Sequence, residues 1–125
     1  MLECCPDRRP AVLVVDDDPA VLRFMTLALS DLCDVISAGD ALEAMLTIES
    51  YPGPIDLLVS DWHLPFCDGT ELGLRFRQRR PGKPVLLVSG EPFGEPLPPG
   101  FEEFPKPFTA QILRERVRQV LSPAN

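Results

Sequence analysis

Short apolar runs in this chain end at charged residues, and this pattern constrains the fold more than any other feature. Residues 11–15 and 55–60 are rich in valine, leucine and isoleucine, and a shorter run holds Phe101 and Phe104. Runs of this kind, separated by helical patterns, are typical of buried parallel strands. The charged residues that follow them are Asp16, Asp17, Asp18, Asp61 and Lys106. Because ligands of open α/β sheets bind beyond the carboxyl ends of the strands, we predict that these groups meet at one site.

The rest of the chain alternates strand and helix patterns without an internal repeat or a linker. A helix is predicted to begin at Pro19 with Asp18 as its N-cap, because proline suits the first helical position and aspartate caps it. Strands are predicted at residues 11–15, 34–37, 55–60, 84–88 and just before Lys106, and helices at residues 19–32, 40–49, 69–80 and 109–121. With right-handed crossovers, this alternation predicts an α/β fold with a doubly wound parallel sheet.

Residues 90–100 do not have a helical pattern. Seven of these eleven residues are glycine or proline. Proline removes a backbone donor and clashes inside a helix, so no helix of three turns fits here. We therefore predict a stiff, partly extended loop between the fourth and fifth strands.

Charge and composition exclude several classes of function. The net charge of −7 opposes nucleic-acid binding, which requires a basic surface. No apolar stretch approaches the roughly 20 residues that span a bilayer, and residues 1–10 do not resemble a secretory signal. We therefore expect a cytoplasmic protein without a nucleic-acid or membrane partner. The four cysteines lack CxxC spacing and the chain has one histidine, so a zinc site is not predicted.

Four segments together resemble the motifs of response-regulator receiver domains. They are VVDDDP, SDWHLPFCDG, VLLVSGE and PKPF, which occur in the family's order at predicted strand ends. The resemblance extends over residues 11–121, and it leaves residues 1–10 as an N-terminal extension and residues 122–125 as a C-terminal tail. It implies a flavodoxin-like sheet of five parallel strands in the order 2-1-3-4-5.

The resemblance also implies a phosphoacceptor and a metal site. Asp61 is then the phosphoacceptor, and Asp16 and Asp17 bind Mg²⁺ together with Asp61. The main-chain carbonyl of His63 completes the protein ligands of the metal, for which Mn²⁺ is an alternative. The chemistry of these residues agrees, because phosphoryl transfer to a carboxylate needs a nucleophilic oxygen and Mg²⁺ prefers hard oxygen ligands.

Two further positions match groups that contact the phosphoryl group in this family. Ser89 matches the hydroxyl switch position, and Lys106 matches the phosphate-pairing lysine. The Lys106–Pro107 peptide bond is expected to be cis, as in relatives. Lysine is rare in this chain, where ten of the twelve basic residues are arginine. An ammonium is therefore expected to be specifically required at this position.

Two features depart from the family pattern. The fourth helix, which most relatives carry between the fourth and fifth strands, is predicted to be absent or reduced. Glu103 occupies a position where relatives commonly carry a rotating tyrosine or phenylalanine, so it is an uncertain switch position. Both changes fall on the face that many receivers use for output or dimer formation.

These residues predict a phosphoacceptor of a two-component system or phosphorelay. The protein would take a phosphoryl group from a histidine kinase or histidine phosphotransfer protein onto Asp61. It would then signal by contact with an output protein that the sequence does not name. It would phosphorylate itself from a phosphohistidine donor, with autodephosphorylation left open, and it is not predicted to be a conventional turnover enzyme.

Three alternatives remain open. One is a phosphorylation-independent interaction module with a receiver fold, which the presence of Asp61, Ser89 and Lys106 opposes. A phosphohydrolase with an aspartyl-phosphate intermediate generally needs a second carboxylate two residues after the nucleophile, where this chain has His63. A flavin-binding protein of similar topology is opposed by the acidic crevice, which would repel the flavin phosphate.

Overall fold

The structure is a computed structural model that describes residues 9–92, 94 and 96–122. Strands and helices alternate along the first four strands, and β5 follows β4 without a helix between them. The strands are β1 (Ala11–Val15), β2 (Asp34–Ala38), β3 (Leu57–Asp61), β4 (Val85–Ser89) and β5 (Phe101–Pro105). The helices are α1 (Pro19–Leu29), α2 (Ala41–Ser50), α3 (Gly69–Arg79) and α4 (Ala110–Leu121). Most of the predicted N-terminal extension and C-terminal tail, residues 1–8 and 123–125, lies outside the described residues.

The five strands form one parallel sheet in the order β2-β1-β3-β4-β5. This order confirms the predicted flavodoxin-like fold. Every residue of β1, β3 and β4 is buried, because these strands lie in the middle of the sheet with apolar side chains on both faces.

Two apolar layers connect the helices to the sheet. One layer joins α1 and α4 to one face, and the other joins α2 and α3 to the opposite face. The largest buried helix side chains are Met25, Leu29, Leu113 and Val117 in the first layer, and Ile48, Leu72 and Phe76 in the second. Burying one such side chain stabilises the fold by about 1.5–3 kcal/mol, so these layers hold the helices in place.

Each helix begins at a capping side chain. The caps are Asp18, Asp40, Asp68 and Thr109, and each accepts a hydrogen bond from a backbone N–H group in the first turn. A cap of this kind contributes about 1 kcal/mol. The prediction that Asp18 and Pro19 begin the first helix is therefore confirmed.

Some predicted bounds differ from the observed ones by one to three residues. β3 begins at Leu57 rather than at residue 55, and Asp56 just before it is hydrogen-bonded to Ala11, the first residue of β1. The N–H of Asp56 donates to the carbonyl of Ala11 at 2.7 Å, and its carboxylate accepts from the N–H of Ala11 at 2.9 Å. α1 ends at Leu29 rather than at residue 32, because the N–H groups of Leu32 and Cys33 both donate to the carbonyl of Leu29 in a turn.

The segment between β4 and β5 contains no helix in residues 90–92, 94 and 96–100, the part of it that the structure describes. The prediction that the fourth helix of the family is absent or reduced is therefore confirmed for these residues. Leu97 packs against the layer beneath α2 and α3. Among the described residues, no helix combines the length and apolarity that crossing a membrane requires.

Candidate functional site

The carboxyl ends of four strands meet at one edge of the sheet. Val15 of β1 lies opposite Ser60 of β3, and Ser89 of β4 lies opposite Pro105 of β5. β3 and β4 are neighbours in the sheet and pair in parallel, so all four strands end at the same edge. The predicted residues at or just beyond this edge are Asp16, Asp17, Asp61, His63, Ser89 and Lys106.

Three carboxylates form an acidic cluster at this edge. Asp16, Asp17 and Asp61 each offer one carboxylate oxygen, and these oxygens lie within 4.8 Å of one another. Asp16 and Asp61 are buried, with 1% and 9% of their surface exposed, whereas Asp17 is exposed. Like charges at this separation repel, and a cation between them would remove the repulsion.

The Asp16 carboxylate is held by the backbone through only one of its oxygens. Its Oδ1 accepts a hydrogen bond from the N–H of Asp18 at 2.8 Å, while its buried Oδ2 has no hydrogen-bond partner in the described part of the chain. Burial raises the pKa of Asp16, and the charges of Asp61 and Asp17 raise it further, while the N–H of Asp18 and the ammonium of Lys106 lower it. A buried oxygen without a donor, in a set made of oxygen ligands, fits Mg²⁺.

Lys106 places an ammonium beside both buried carboxylates. Its Nζ lies 3.8 Å from Asp61 Oδ2 and 4.0 Å from Asp16 Oδ2. The N–H of Lys106 donates to the carbonyl of Ser89 at 2.8 Å, and the Lys106–Pro107 bond is cis. The lysine therefore lies where its charge can pair with an anionic group on Asp61.

The loop after β3 holds Asp61 in position. The N–H of His63 donates to Asp61 Oδ1 at 3.3 Å, and the N–H of Gly69 donates to the carbonyl of Trp62 at 2.8 Å. A Cβ at Gly69 would lie 2.6 Å from the carbonyl oxygen of Asp61, so glycine allows α3 to begin this close to the strand end. The sequence analysis did not predict this close approach of Gly69 to Asp61, although a glycine directly after the N-cap Asp68 could have indicated it.

Ser89 lies at the end of β4, and its hydroxyl is engaged by the following loop. The hydroxyl donates to the carbonyl of Glu91 at 2.7 Å and accepts from the N–H of Glu91 at 3.1 Å. Ser89 is buried. A contact between this hydroxyl and a group on Asp61 would therefore require it to leave the carbonyl of Glu91.

Glu103 lies within β5 rather than at the edge. It is half-buried, and its partner in the ladder is Leu87 of β4. Its position is two residues before Pro105, where β5 ends. Its part in switching stays a prediction.

Comparison with protein families identifies the chain. Residues 12–118 match the family described as response regulator receiver domain. The chain belongs to this family. Receiver domains take phosphoryl groups from histidine kinases or phosphotransfer proteins, and they bind Mg²⁺ at an acidic cluster of the kind seen here.

Individual relatives show the same similarity over most of the chain. Chemotaxis protein CheY of Pseudomonas aeruginosa is 32% identical over 123 residues, which cover 91% of this chain and 98% of CheY. Sensor kinase CckA of Brucella abortus is 33% identical over 116 residues, which cover 88% of this chain but 12% of CckA. Transcription factor SKN7 of Chaetomium thermophilum is 31% identical over 93% of this chain and 16% of its own length.

Solved structures agree with this assignment. The receiver domain of hybrid histidine kinase CckA superposes with a TM-score of 0.78 at 34% identity, covering 90% of this chain and 99% of that domain. A CheY-like receiver domain from Methanospirillum hungatei superposes with a TM-score of 0.80 at 30% identity, covering 90% and 93%. The similarity therefore includes whole receiver domains, but only a small part of full-length CckA and SKN7.

Proposed function

We propose that this receiver domain accepts a phosphoryl group on Asp61 from a phosphohistidine of a histidine kinase or histidine phosphotransfer protein. The observation that carries the proposal is the acidic cluster within 4.8 Å, with Lys106 Nζ 3.8 Å from Asp61 Oδ2. A carboxylate oxygen of Asp61 attacks the phosphorus and the P–N bond breaks. The electron pair stays on the imidazole nitrogen, which is left with a proton from the donor or from water.

The metal ligands in this proposal are Asp16, Asp17, Asp61 and the main-chain carbonyl of His63. All of them offer oxygen, which suits Mg²⁺ and also the alternative ion Mn²⁺. When bound, the ion neutralises charge on the phosphoryl oxygens. The buried Oδ2 of Asp16 supports the assignment, because it accepts no hydrogen bond in the described residues and lies 4.0 Å from the Lys106 ammonium, so a bound cation displaces no hydrogen-bond donor.

Two residues then contact the phosphoryl group and pass on the signal. Lys106 pairs with one phosphoryl oxygen, and the hydroxyl of Ser89 donates to another after leaving the carbonyl of Glu91. Residues 90–100 lie between these two contacts, so phosphorylation acts on both ends of this loop. The altered surface is read by an output protein through direct contact. The cytoplasmic location and the lack of nucleic-acid and membrane partners stay predictions from the sequence.

Intact mass spectrometry after incubation with acetyl phosphate tests the proposal. The unmodified chain should gain one phosphoryl group when Mg²⁺ is present, and Asp61→Asn should gain none. Asp18→Asn is the matched control, because it removes a carboxylate beside the metal ligands while asparagine still caps α1. This control should be labelled like the unmodified chain.

Two outcomes would contradict the proposal. Labelling of Asp61→Asn at the unmodified level would remove Asp61 from the acceptor role. A phosphorylation-independent interaction module, in contrast, would leave all three proteins unlabelled while preserving the fold.

A further inference from the structure

An apolar cleft lies between α2 and the loop that joins β3 to α3. Its volume is about 480 Å³, and its apolar lining includes Leu42, Met45, Pro65 and Phe66. Leu46 follows Leu42 by one helical turn and extends the apolar surface along the helix. The two leucines are 68% and 62% exposed. We call this surface, Leu42, Met45, Leu46, Pro65 and Phe66, the α2–loop cleft.

Phe66 combines a backbone conformation that is unfavourable for phenylalanine with a side chain that is exposed to solvent. Its backbone has a φ of 71°, in the left-handed region that favours glycine, and its side chain is fully exposed. The fold therefore gains neither packing nor backbone relaxation from a phenylalanine at this position. Aromatic side chains that enter a partner protein supply much of the energy of an interface, which is a use that this exposed ring fits.

The rim of the α2–loop cleft is acidic. Asp40 lines the cleft, and the exposed Glu43 directly follows the lining residue Leu42. The charge of the exposed Glu71 contributes to the raised pKa of Cys67, another lining residue, which places Glu71 near the cleft. Arg75, one turn further along α3, pairs with Glu71 at 3.5 Å. Asp40 also caps α2, so the helix N-terminus balances part of its charge. The remaining negative charge favours an occupant with basic residues.

We propose that the α2–loop cleft binds an amphipathic helix of a partner protein, with two apolar side chains one turn apart and lysine or arginine at its flanks. A helix presents anchors at this spacing when it lies in an apolar groove. The cleft volume is within the range of about 300–1,000 Å³ that holds a few buried groups. None of the cleft residues belongs to the acidic cluster, so the proposal does not depend on phosphorylation of Asp61.

A partner helix fits the surface better than a second copy of the chain. A standard interface between two proteins involves about 20–30 residues from each side, whereas the α2–loop cleft offers five apolar side chains. A second copy would also bring its own acidic rim, Asp40, Glu43 and Glu71, close to the same rim of its partner if the contact were two-fold symmetric.

The test uses the ¹⁵N-labelled chain and two synthetic helical peptides of about 16 residues. The first peptide carries leucine at positions i and i+4 with lysine on both flanks, and the second has glutamate in place of each lysine. The lysine peptide should shift the amide signals of α2 and of residues 64–68. The glutamate peptide should bind at least about tenfold more weakly.

Three variants locate the contact. Phe66→Gly and Leu46→Gln should each lower the affinity for the lysine peptide by at least about tenfold. Phe66→Gly should remain folded, because glycine readily adopts the left-handed backbone at this position. Leu27→Gln is the matched control, since Leu27 is 61% exposed on α1, on the opposite face of the sheet. It should leave the affinity unchanged.

Four results would overturn the proposal. The lysine peptide could fail to bind up to about 1 mM, or both peptides could bind with equal affinity. The amide shifts could be centred on Leu27 instead of α2, or the chain could self-associate in a way that Phe66→Gly abolishes. The last result would assign the α2–loop cleft to a second copy.

Discussion

Replacing Lys106 with methionine should tighten Mg²⁺ binding while it slows phosphorylation. Lys106 Nζ lies 3.8 Å and 4.0 Å from the carboxylates of Asp61 and Asp16, so the ammonium and the metal ion compete for the same two groups. Methionine keeps an unbranched apolar stem but carries no charge. Phosphorylation should slow because the phosphoryl group loses its cationic partner.

The expected gain in metal affinity follows from these distances. Two unit charges 4 Å apart interact by about 1 kcal/mol in water and by about 4 kcal/mol at an effective dielectric constant of 20. The lysine side chain is 31% exposed, so the lower value is closer, and the two contacts together contribute roughly 1–2 kcal/mol. Mg²⁺ affinity should therefore rise by a factor of about 5 to 30.

Fluorescence of Trp62, the only tryptophan, provides the assay, because it follows Asp61 directly in sequence. Titration with Mg²⁺ should give a lower Kd for Lys106→Met than for the unmodified chain. Lys83→Met is the matched control, since the only other lysine pairs with Asp56 at 3.3 Å near the start of β3. An unchanged or higher Kd for Lys106→Met, or an equal decrease in Lys83→Met, would refute the reasoning.

Three further predictions concern stability and reactivity. Because the pKa of Asp16 is raised in the folded state, the metal-free protein should lose stability as pH rises from the unfolded value of 3.8 to the folded one. Asp16→Asn should remove this loss and raise Tm at pH 7 without Mg²⁺, and an unchanged thermal melt would contradict it. Burial raises the pKa of Cys33 to about 11. In a chain with serine at positions 4, 5 and 67, the Cys33 thiol should therefore react with a thiol reagent at pH 8 only after unfolding. Gly69→Ala should destabilise the fold by about 1–3 kcal/mol in urea titrations, because its Cβ would lie 2.6 Å from Asp61. Gly90→Ala, where the added Cβ meets nothing within 4 Å, should change stability by less than about 0.5 kcal/mol.

The edge cluster could be predicted from the sequence because its members directly follow strands. Parallel pairing brings strand ends together, so Asp16, Asp61 and Lys106 had to converge once the strands were recognised. The start of α1 was equally predictable, since Asp18 and Pro19 carry the local signals of a helix N-terminus. In both cases, the residues that allow the prediction lie within a few positions of the strand end or helix start that they predict.

Contacts that depend on packing could not be predicted in this way. Arg80 donates to three carbonyls at the end of α2, and Arg114 donates to the carbonyl of Ala28 at the end of α1. These pairs are far apart in sequence, and helical periodicity does not indicate which arginine will reach another helix. The turn between Ser89 and Glu91 and the left-handed backbone of Phe66 likewise lack a distinct residue pattern.

The most direct test of the account is to locate the phosphoryl group chemically. Borohydride reduces an aspartyl phosphate to homoserine, so treatment of the phosphorylated chain followed by peptide mass spectrometry marks the acceptor residue. The account predicts homoserine at position 61 when both phosphodonor and Mg²⁺ are present, with Asp16 and Asp17 unmodified. Homoserine at position 16 or 17, or the same yield at position 61 without any divalent ion, would contradict it.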